Sequence, residues 1–336
     1  MGGRPTIEDI AARSEVSPAT VSRALNNPEK VRSGTRERIY AAMRELGYLP
    51  PSTKPPEHLS RVIALFAPNL LLDSVTEMVR AVEAALLGSS YDLLLVNMRG
   101  ERDFGKYLGE RGALRKKIDG AIVFSADITD RAAEISAASN TPIVLLQARS
   151  SRVRSYSNNN FFGGRDATEF LLSRGYRRIA FVGWTPRDEH VSDRLSGYQA
   201  ALRDAGVELR ESEIAYGSLD GEGGYAATAE LLERTSPDAI FYATDVLAVG
   251  GLRYFREHNV RIPEELAIMG FDDLSVAGAV GLTTMRQFFE RKAQMAVDYL
   301  IKRIEGEIRT EHPEELMITP RLVVRQTTPG GPGESG

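Results

Sequence analysis

The 336-residue chain has no cysteine, so a disulfide framework and any thiolate metal site are excluded, and a reducing compartment suits it. It has no uninterrupted apolar run approaching 18 residues, and its first residues, MGGRPTIED, lack an apolar core. Neither a membrane span nor a secretion signal is expected, which implies a cytoplasmic protein. Histidine is scarce: His58, His190, His258 and His312 stand apart with no pair at metal-ligand spacing, and each reads as a surface or linker residue. There is a single tryptophan, Trp184, and no G-x-S-x-G or paired-cysteine motif, although a Ser-His-Asp site assembled across the fold stays open. No large positive charge is present either. The net charge is −4, while residues 1–60 hold nine Lys and Arg against seven Asp and Glu, a net of +2, which leaves −6 for the remainder. That balance excludes indiscriminate nucleic-acid binding and allows a local, salt-sensitive contact through the amino-terminal segment.

What is present begins in that segment. Thr6 and Asp9 have capping-box spacing, and Ile7, Ile10 and Ala11 give one apolar face to a helix ending near Ser14. Glu15-Val16 reads as a turn. Ser17 as cap and Pro18 at the first helical position open a second helix, whose Val21 and Leu25 turn inward. Its opposite face carries Ala19, Ser22, Arg23 and Asn26, small or hydrogen-bonding groups with one guanidinium able to grip a guanine edge. A third helix, 35–46, buries Ile39, Met43 and Leu46 and stops at Gly47. The segment is a helix-turn-helix; a small three-helix bundle used for protein contacts is the competing reading.

Residues 50–60, PPSTKPPEHLS, form a proline-rich linker. Beyond it, apolar runs at 62–66, 92–96, 120–124 and 143–146 alternate with helical stretches, the first at 74–87. After Asn160 the rhythm restarts, with helices at 163–174, 195–204 and 246–257 and strands at 179–182, 239–242 and 266–270. This βαβ pattern predicts two α/β lobes with parallel sheets, and a ligand cleft at the carboxyl ends of the strands. The G-x-x-x-x-G-K match at 100–106 is set aside, because Tyr107 stands where the magnesium-binding hydroxyl belongs and charged groups fill the loop. The glycines of 221–224 read as the start of a helix.

The head resembles the LacI/GalR (lactose-repressor/galactose-repressor) family of bacterial transcription regulators through Thr6, Asp9, Ile10, Ala11, Val16, Ser17, Thr20, Val21, Ser22, Arg23, Leu25 and Asn26. The likeness continues in Thr35, Arg36, Arg38, Ile39, Leu46, Gly47, Tyr48 and Pro50. It extends into the core through Gly163-Gly164-Arg165, Gly175-Tyr176-Arg177-Arg178-Ile179, Arg194-Leu195-Ser196-Gly197-Tyr198, Gly270-Phe271-Asp272-Asp273 and Leu282-Thr283-Thr284. By this resemblance, Pro18, Ala19 and Arg23 face base edges, while Thr6, Ser17, Thr20, Ser22, Asn26 and Thr35 belong to the DNA-binding set, several of them as phosphate contacts. Family members carry a hinge helix that wedges a leucine into the minor groove; here Pro55 and Pro56 oppose such a helix, and Leu59 is either that wedge or plain linker.

The resemblance also implies a two-lobed core like that of periplasmic sugar-binding proteins, with lobe 1 at about 61–160 and 289–318, lobe 2 at about 161–288 and 319–328, and a flexible tail from 329. Arg194 and Asp272 match family positions that clamp polar groups of an effector. Trp184 reads as a stacking surface or a packing residue, and Gln147 and Thr244, followed by Asp245, as polar contacts. The loop at 68–75 lacks the family's aromatic pair, so Asp73 and Ser74 are expected to supply polar contacts and Phe288 an aromatic one. The implied protein is a homodimeric, ligand-responsive repressor of a carbohydrate or small-metabolite operon, reading a near-palindromic operator and needing no cofactor or metal. Three rivals stay open: a small-molecule receptor without a DNA role, an enzyme using Asp272 or Asp273 as a base, and a regulator with no small-molecule effector.

Overall fold

The computed structural model describes residues 5–26, 30–46, 48, 60–110, 118–129, 132, 141–308 and 313–328. The linker at 50–59 with Leu59, the tail from 329, His58, His312, Gly47 and the side chain of Asn26 lie outside the described residues.

The head is built from α1 (Ile7–Ser14), α2 (Pro18–Asn26) and α3 (Ser33–Leu46). Thr6 and Asp9 form the capping box: the Thr6 amide donates to Asp9 Oδ2 at 2.7 Å and the Asp9 amide to Thr6 Oγ1 at 3.3 Å. α1 ends where Glu15 enters the left-handed region (φ 55°), and its amide caps the Ala11 carbonyl. That turn throws the chain into α2, which Ser17 opens by accepting the Thr20 amide at 3.2 Å. Ile10, Ala11, Val21, Ala24, Ile39, Ala42 and Tyr48 close a small core around which Leu25, Met43 and Leu46 are half-buried. So small a core depends on its caps. Thr6→Ala is expected to lower the head's stability by about 1 kcal/mol, read as an earlier melting of its helical signal; an unchanged midpoint would contradict this role.

The chain divides into two compact units, the first of which includes the head. The first comprises Met1–Leu70, Val79–Ser157 and Glu290–Leu316, and the second Leu71–Met78, Asn158–Phe289 and Met317–Gly336. The start of α4 (Asp73–Leu86) thus groups with the second unit, not with the first as its place in the chain suggested. There Glu77 Oε1 accepts the Ser275 amide at 3.2 Å and its hydroxyl at 2.5 Å.

The first unit holds a six-stranded sheet in the order β11-β5-β4-β3-β1-β2. Its members are β1 (Val62–Ala67), β2 (Asp92–Asn97), β3 (Gly120–Phe124), β4 (Ile143–Leu146), β5 (Arg154–Asn158) and β11 (Glu315–Ile318). β1 pairs in parallel with β2 and β3, and β4 with β3 and β5. β3 and β4 are buried at every residue, which is why they read as continuous apolar runs. Short α5 (Phe104–Glu110) follows β2.

The second unit has a four-stranded parallel sheet, β7-β6-β8-β9, from β6 (Ile179–Gly183), β7 (Ile214–Tyr216), β8 (Ala239–Tyr242) and β9 (Ala267–Met269). Helices α6 (Asn160–Ser173), α7 (Glu189–Asp204), α8 (Gly221–Arg234), α9 (Asp245–Glu257) and α10 (Ser275–Ala279) accompany it. β10 (Thr284–Arg286) pairs antiparallel with β12 (Arg321–Val323). The first unit also receives α11 (Phe289–Ile304). α6 and α7 meet backbone to backbone: a Cβ on Gly164 would collide with the Arg194 carbonyl, and one on Gly197 with the Phe161 carbonyl. Only glycine lets α7 come this close, and the approach fixes the height at which Arg194 stands.

Candidate functional site

On the head, Ser17, Pro18, Ala19 and Arg23 are exposed along α2, while Thr20 and Ser22 are half-exposed. Ser17 Oγ and Thr20 Oγ1 lie 2.8 Å apart, so these hydroxyls are ordered by one another. Thr6 is exposed with its hydroxyl donating to Asp9 at 2.9 Å, and Thr35 is half-exposed on the first turn of α3. Arg23 is exposed on this small-residue face, one turn after the exposed Ala19.

In the second unit the residues singled out from the sequence fall into one buried polar network. Arg194 lies inside α7, not in a strand-end loop, because the helix begins at Glu189 and not near 195. Asp188 opens that helix by accepting the His190 amide at 3.0 Å. The Arg194 guanidinium is 3% exposed as a residue and lies 3.5 Å from Asp272. Its Nε donates to Asn160 Oδ1 at 2.9 Å, its NH1 donates to the Ala243 carbonyl, and its plane covers the Phe271 ring at 3.7 Å. Burial pulls its pKa below the ordinary arginine value, opposed by Asp272 first and then by Asp188 and Asp245. Asp272 accepts the Thr244 hydroxyl at 2.5 Å and the Gln287 amide, and Gln287 in turn accepts from Asn158. Asp272 adopts φ 119° and Asp273 φ 58°, a left-handed pair that re-aims the chain after β9. Asp273 is held apart from this network by Arg325, 2.6 Å away.

Asp245 lies behind Thr244, fully buried. Its carboxylate accepts the Thr284 hydroxyl at 2.6 Å and the Leu274 amide at 2.8 Å. Burial first, and the Asp272 charge second, push its pKa well above the usual carboxylate range. A folded-state pKa raised above the unfolded value means that the folded chain keeps a proton the unfolded chain loses. The associated stability is full at low pH and falls as pH rises from about 4 through the folded value. Asp245→Asn removes this dependence, so wild-type stability measured against the variant is expected to decline as pH rises above about 4. A pH-independent difference between the two would show that Asp245 is ionised in the fold.

Trp184, directly after β6, is half-buried, packs on both apolar clusters of the unit and has the Arg194 guanidinium 5.8 Å from its ring centre. Phe288 is half-buried with φ 55°, under the Arg286 guanidinium at 5.7 Å. Asp73 is exposed at the start of α4 and Ser74 half-buried beside it. Gln147 belongs to the first unit. It is buried, takes φ 58° just past β4, and its amide donates to the Tyr156 carbonyl at 3.0 Å.

The network includes residues that sequence reasoning passed over: Asn158, Asn160, Phe271 and Gln287. The polar triplet 158–160, ending an otherwise buried strand, was the available signal. His190 differs from the surface role expected for it, being half-buried with its Nδ1 at 3.1 Å from the Asn160 amide nitrogen. His258 stacks on Tyr254 at 4.0 Å. At 100–106 the α5 amino terminus is occupied by Asp103, which accepts the Lys106 amide at 3.0 Å, and Lys106 pairs with Glu101 at 2.5 Å, so no phosphate cradle is formed. Among the described residues no group of three or more His, Asp or Glu side chains could hold a metal, and no helix is long and apolar enough to cross a membrane.

Residues 6–51 match the family described as bacterial regulatory proteins, lacI family, and residues 168–328 match a periplasmic binding protein-like domain. The chain is 30% identical over 337 residues to the HTH-type transcriptional repressor PurR of Proteus mirabilis (strain HI4320), covering 97% of this chain and 98% of that protein. It is 31% identical over 343 residues to the HTH-type transcriptional regulator CelR of Thermobifida fusca, covering 96% and 98%. Among solved structures it resembles a CelR–cellobiose complex (TM-score 0.69, 30% identity, 96% of this chain and 100% of that one). It also resembles a LacI-family regulator from Enterococcus faecium with bound ribose (TM-score 0.70, 27% identity, 81% and 99%). The lac repressor dimer bound to operator and the anti-inducer ONPF shares the fold (TM-score 0.68, 24% identity, 97% and 99%).

Proposed function

We infer from membership of the LacI family of bacterial regulatory proteins, to which this chain belongs, that it is a transcription repressor whose grip on operator DNA is set by a small polar molecule. Its head reads the major groove through Pro18, Ala19 and Arg23, with Thr6, Ser17, Thr20, Ser22, Asn26 and Thr35 positioning it on phosphates. Two copies bind a near-palindrome as a homodimer, which compensates for a head of modest charge. The effector is of carbohydrate type. Arg194 and Asp272 hold its hydroxyls from opposite chemical sides, Thr244 and Gln147 add polar contacts, and Trp184 and Phe288 offer ring faces. Asp73 and Ser74 complete the polar set.

One observation carries the effector reading: an Arg and an Asp, both almost fully buried and 3.5 Å apart, held in place by Asn160 and the Ala243 carbonyl on one side and by Thr244 and Gln287 on the other. A purely structural pair of this kind is replaceable by apolar side chains at little or no loss. A pair kept pre-organised is suited to polyhydroxyl recognition, where charge-assisted bonds give both strength and orientation. The effector then acts by its differential affinity for the DNA-competent and DNA-incompetent states of the dimer.

The test is a melting panel of neutral sugars, sugar acids, sugar phosphates and nucleosides on the full chain. A ligand present at 100 times its Kd stabilises by about 2.7 kcal/mol. A hit that also changes affinity for an operator selected from a randomised duplex pool supports the reading. A panel in which no compound alters either melting or operator affinity overturns it.

A further inference from the structure

Apart from the start of α4, the chain passes from one unit to the other at three places: between Ser157 and Asn158, between Phe289 and Glu290, and between Leu316 and Met317. These crossings are tied to one another. The Asn158 side-chain amide donates to Gln287 Oε1, which joins the first to the second, and the Asn159 main-chain amide donates to the Ile318 carbonyl at 3.0 Å, which joins the first to the third. The two bonds differ in kind. The Asn159 bond is open to any residue but proline, whereas the Asn158–Gln287 bond is made by two side chains that are 1% and 3% exposed. Replacing both partners of such a bond by apolar groups of the same shape is nearly neutral for stability, so cohesion alone does not account for the pair.

The other end of Gln287 supplies the reason. Its Nε2 donates to Asp272 Oδ1, the oxygen that stands 3.5 Å from Arg194 NH1. A carboxylate only accepts, so Gln287 turns its amino group to Asp272 and its carbonyl oxygen to Asn158, whose own amino group then donates. Hydrogen-bond polarity therefore runs in one direction between the clamp and the crossing. The main chain binds the same parts: the Asp272 amide donates to the Met285 carbonyl at 2.9 Å, and the Gln287 amide to the Asp272 carbonyl at 3.3 Å. Asp272 at φ 119° and Phe288 at φ 55° hold this piece in left-handed conformations at both ends. The carboxylate of the clamp and the residue that meets the first crossing thus form one body. A ligand hydroxyl donating to Asp272 Oδ1 enters the bonding sphere of the Gln287 amino group. Any shift there is passed to Asn158, because reversing the Gln287 amide would set acceptor against acceptor at Asp272 and donor against donor at Asn158.

We propose that the Asn158–Gln287 bond is the coupling element of this chain: it converts occupation of the Arg194–Asp272 clamp into a change at two of the three crossings, and through them into the operator response. The proposal rests on the reading of the chain as ligand-responsive and adds to it the residues that transmit. Asn158 and Gln287 are positioning residues that act through Asp272. Packed and hydrogen-bonded groups carry coupling between sites, and its demonstration is a protein that binds without responding.

The experiment uses the full chain and a selected operator, with D-glucose, D-ribose, D-gluconate, D-ribose 5-phosphate and adenosine as probes. A probe that raises the melting point is carried forward, and operator affinity is measured with each protein saturated by it, so that altered probe affinity does not enter. Wild type is expected to change its operator Kd at least about fivefold. Asn158→Leu and Gln287→Met, which exchange the amides for apolar groups of similar size, are each expected to bring that response below about 1.5-fold, and the double variant to lose no more than either single one. A structural role alone would lower melting and leave the response. A folded, saturated Asn158→Leu or Gln287→Met protein that responds as wild type does overturns the proposal while the effector reading stands, and so do losses that add in the double variant. A folded variant that no longer binds the probe would place its residue in the clamp itself and overturn the coupling role. Should the variants not fold, amide exchange in wild type decides: the probe is expected to alter protection in both 155–162 and 283–291, and a change confined to one contradicts the coupling. If no probe shifts melting, or the bound probe leaves operator affinity unchanged, the ligand-responsive reading fails and takes this one with it.

Discussion

Arg194→Ala is expected to cost about 3–5 kcal/mol of stability and to weaken effector binding at least 100-fold. The cost follows from what remains. Removing the guanidinium leaves Asp272 buried without the cation 3.5 Å away, next to Asp245, whose own charge burial already opposes. It also uncovers the Phe271 ring and frees Asn160 Oδ1. Urea unfolding of wild type, Arg194→Ala and Arg194→Ala/Asp272→Asn separates the two effects. Neutralising Asp272 in the double variant is expected to recover much of the stability and none of the binding, because the charge conflict is gone and the clamp with it. A loss below 1 kcal/mol in the single variant would mean that water reaches the pair, and the site would then lack the low dielectric that gives it strength.

Arg23→Ala is expected to weaken binding to the selected operator by about 1–3 kcal/mol, roughly 10- to 150-fold, with the loss concentrated at one base pair of each half-site. Arg23 is exposed on α2, outside the core formed by Val21 and Ala24, so the head's melting is expected to stay put. A base-reading arginine and a phosphate-holding one differ in a second observable. Loss of a base contact relaxes sequence preference and leaves most of the salt dependence, whereas loss of a phosphate contact weakens all sequences alike and lowers the salt slope by about one. Equal weakening on operator and scrambled duplex would move Arg23 from the first class to the second.

Much of the architecture was legible for identifiable physical reasons. The head could be read because Thr6 with Asp9 and Ser17 with Pro18 are local signals, complete within a few residues. β1, β3 and β4 could be read because parallel strands covered on both faces are continuous apolar runs. β5 escaped notice because Arg154-Ser155-Tyr156-Ser157-Asn158 is polar at every position but Tyr156 and still buried from Ser155 onward. The first turn of α7 was missed because Glu189 to Asp193 is mostly polar, its helical state being set by the Asp188 cap rather than by periodicity.

The site was legible unevenly. Arg194 and Asp272 were found through family resemblance, not through spacing, since they stand 78 positions apart in the chain. Asn160 and Gln287 have no periodic signature, and their bonds to Arg194 and Asp272 join distant positions.

The most direct measurement of the central claim is operator affinity of the full chain by fluorescence anisotropy, with and without the saturating effector identified by melting, in wild type and in Arg194→Lys. Wild type should change its operator Kd by at least fivefold, within the usual range for coupled sites. Arg194→Lys keeps the charge and loses the planar fork that reaches Asn160, Ala243 and Asp272 together, and is expected to show no change at the same effector concentration. An equal response in both proteins, or none in the wild type, would contradict the account.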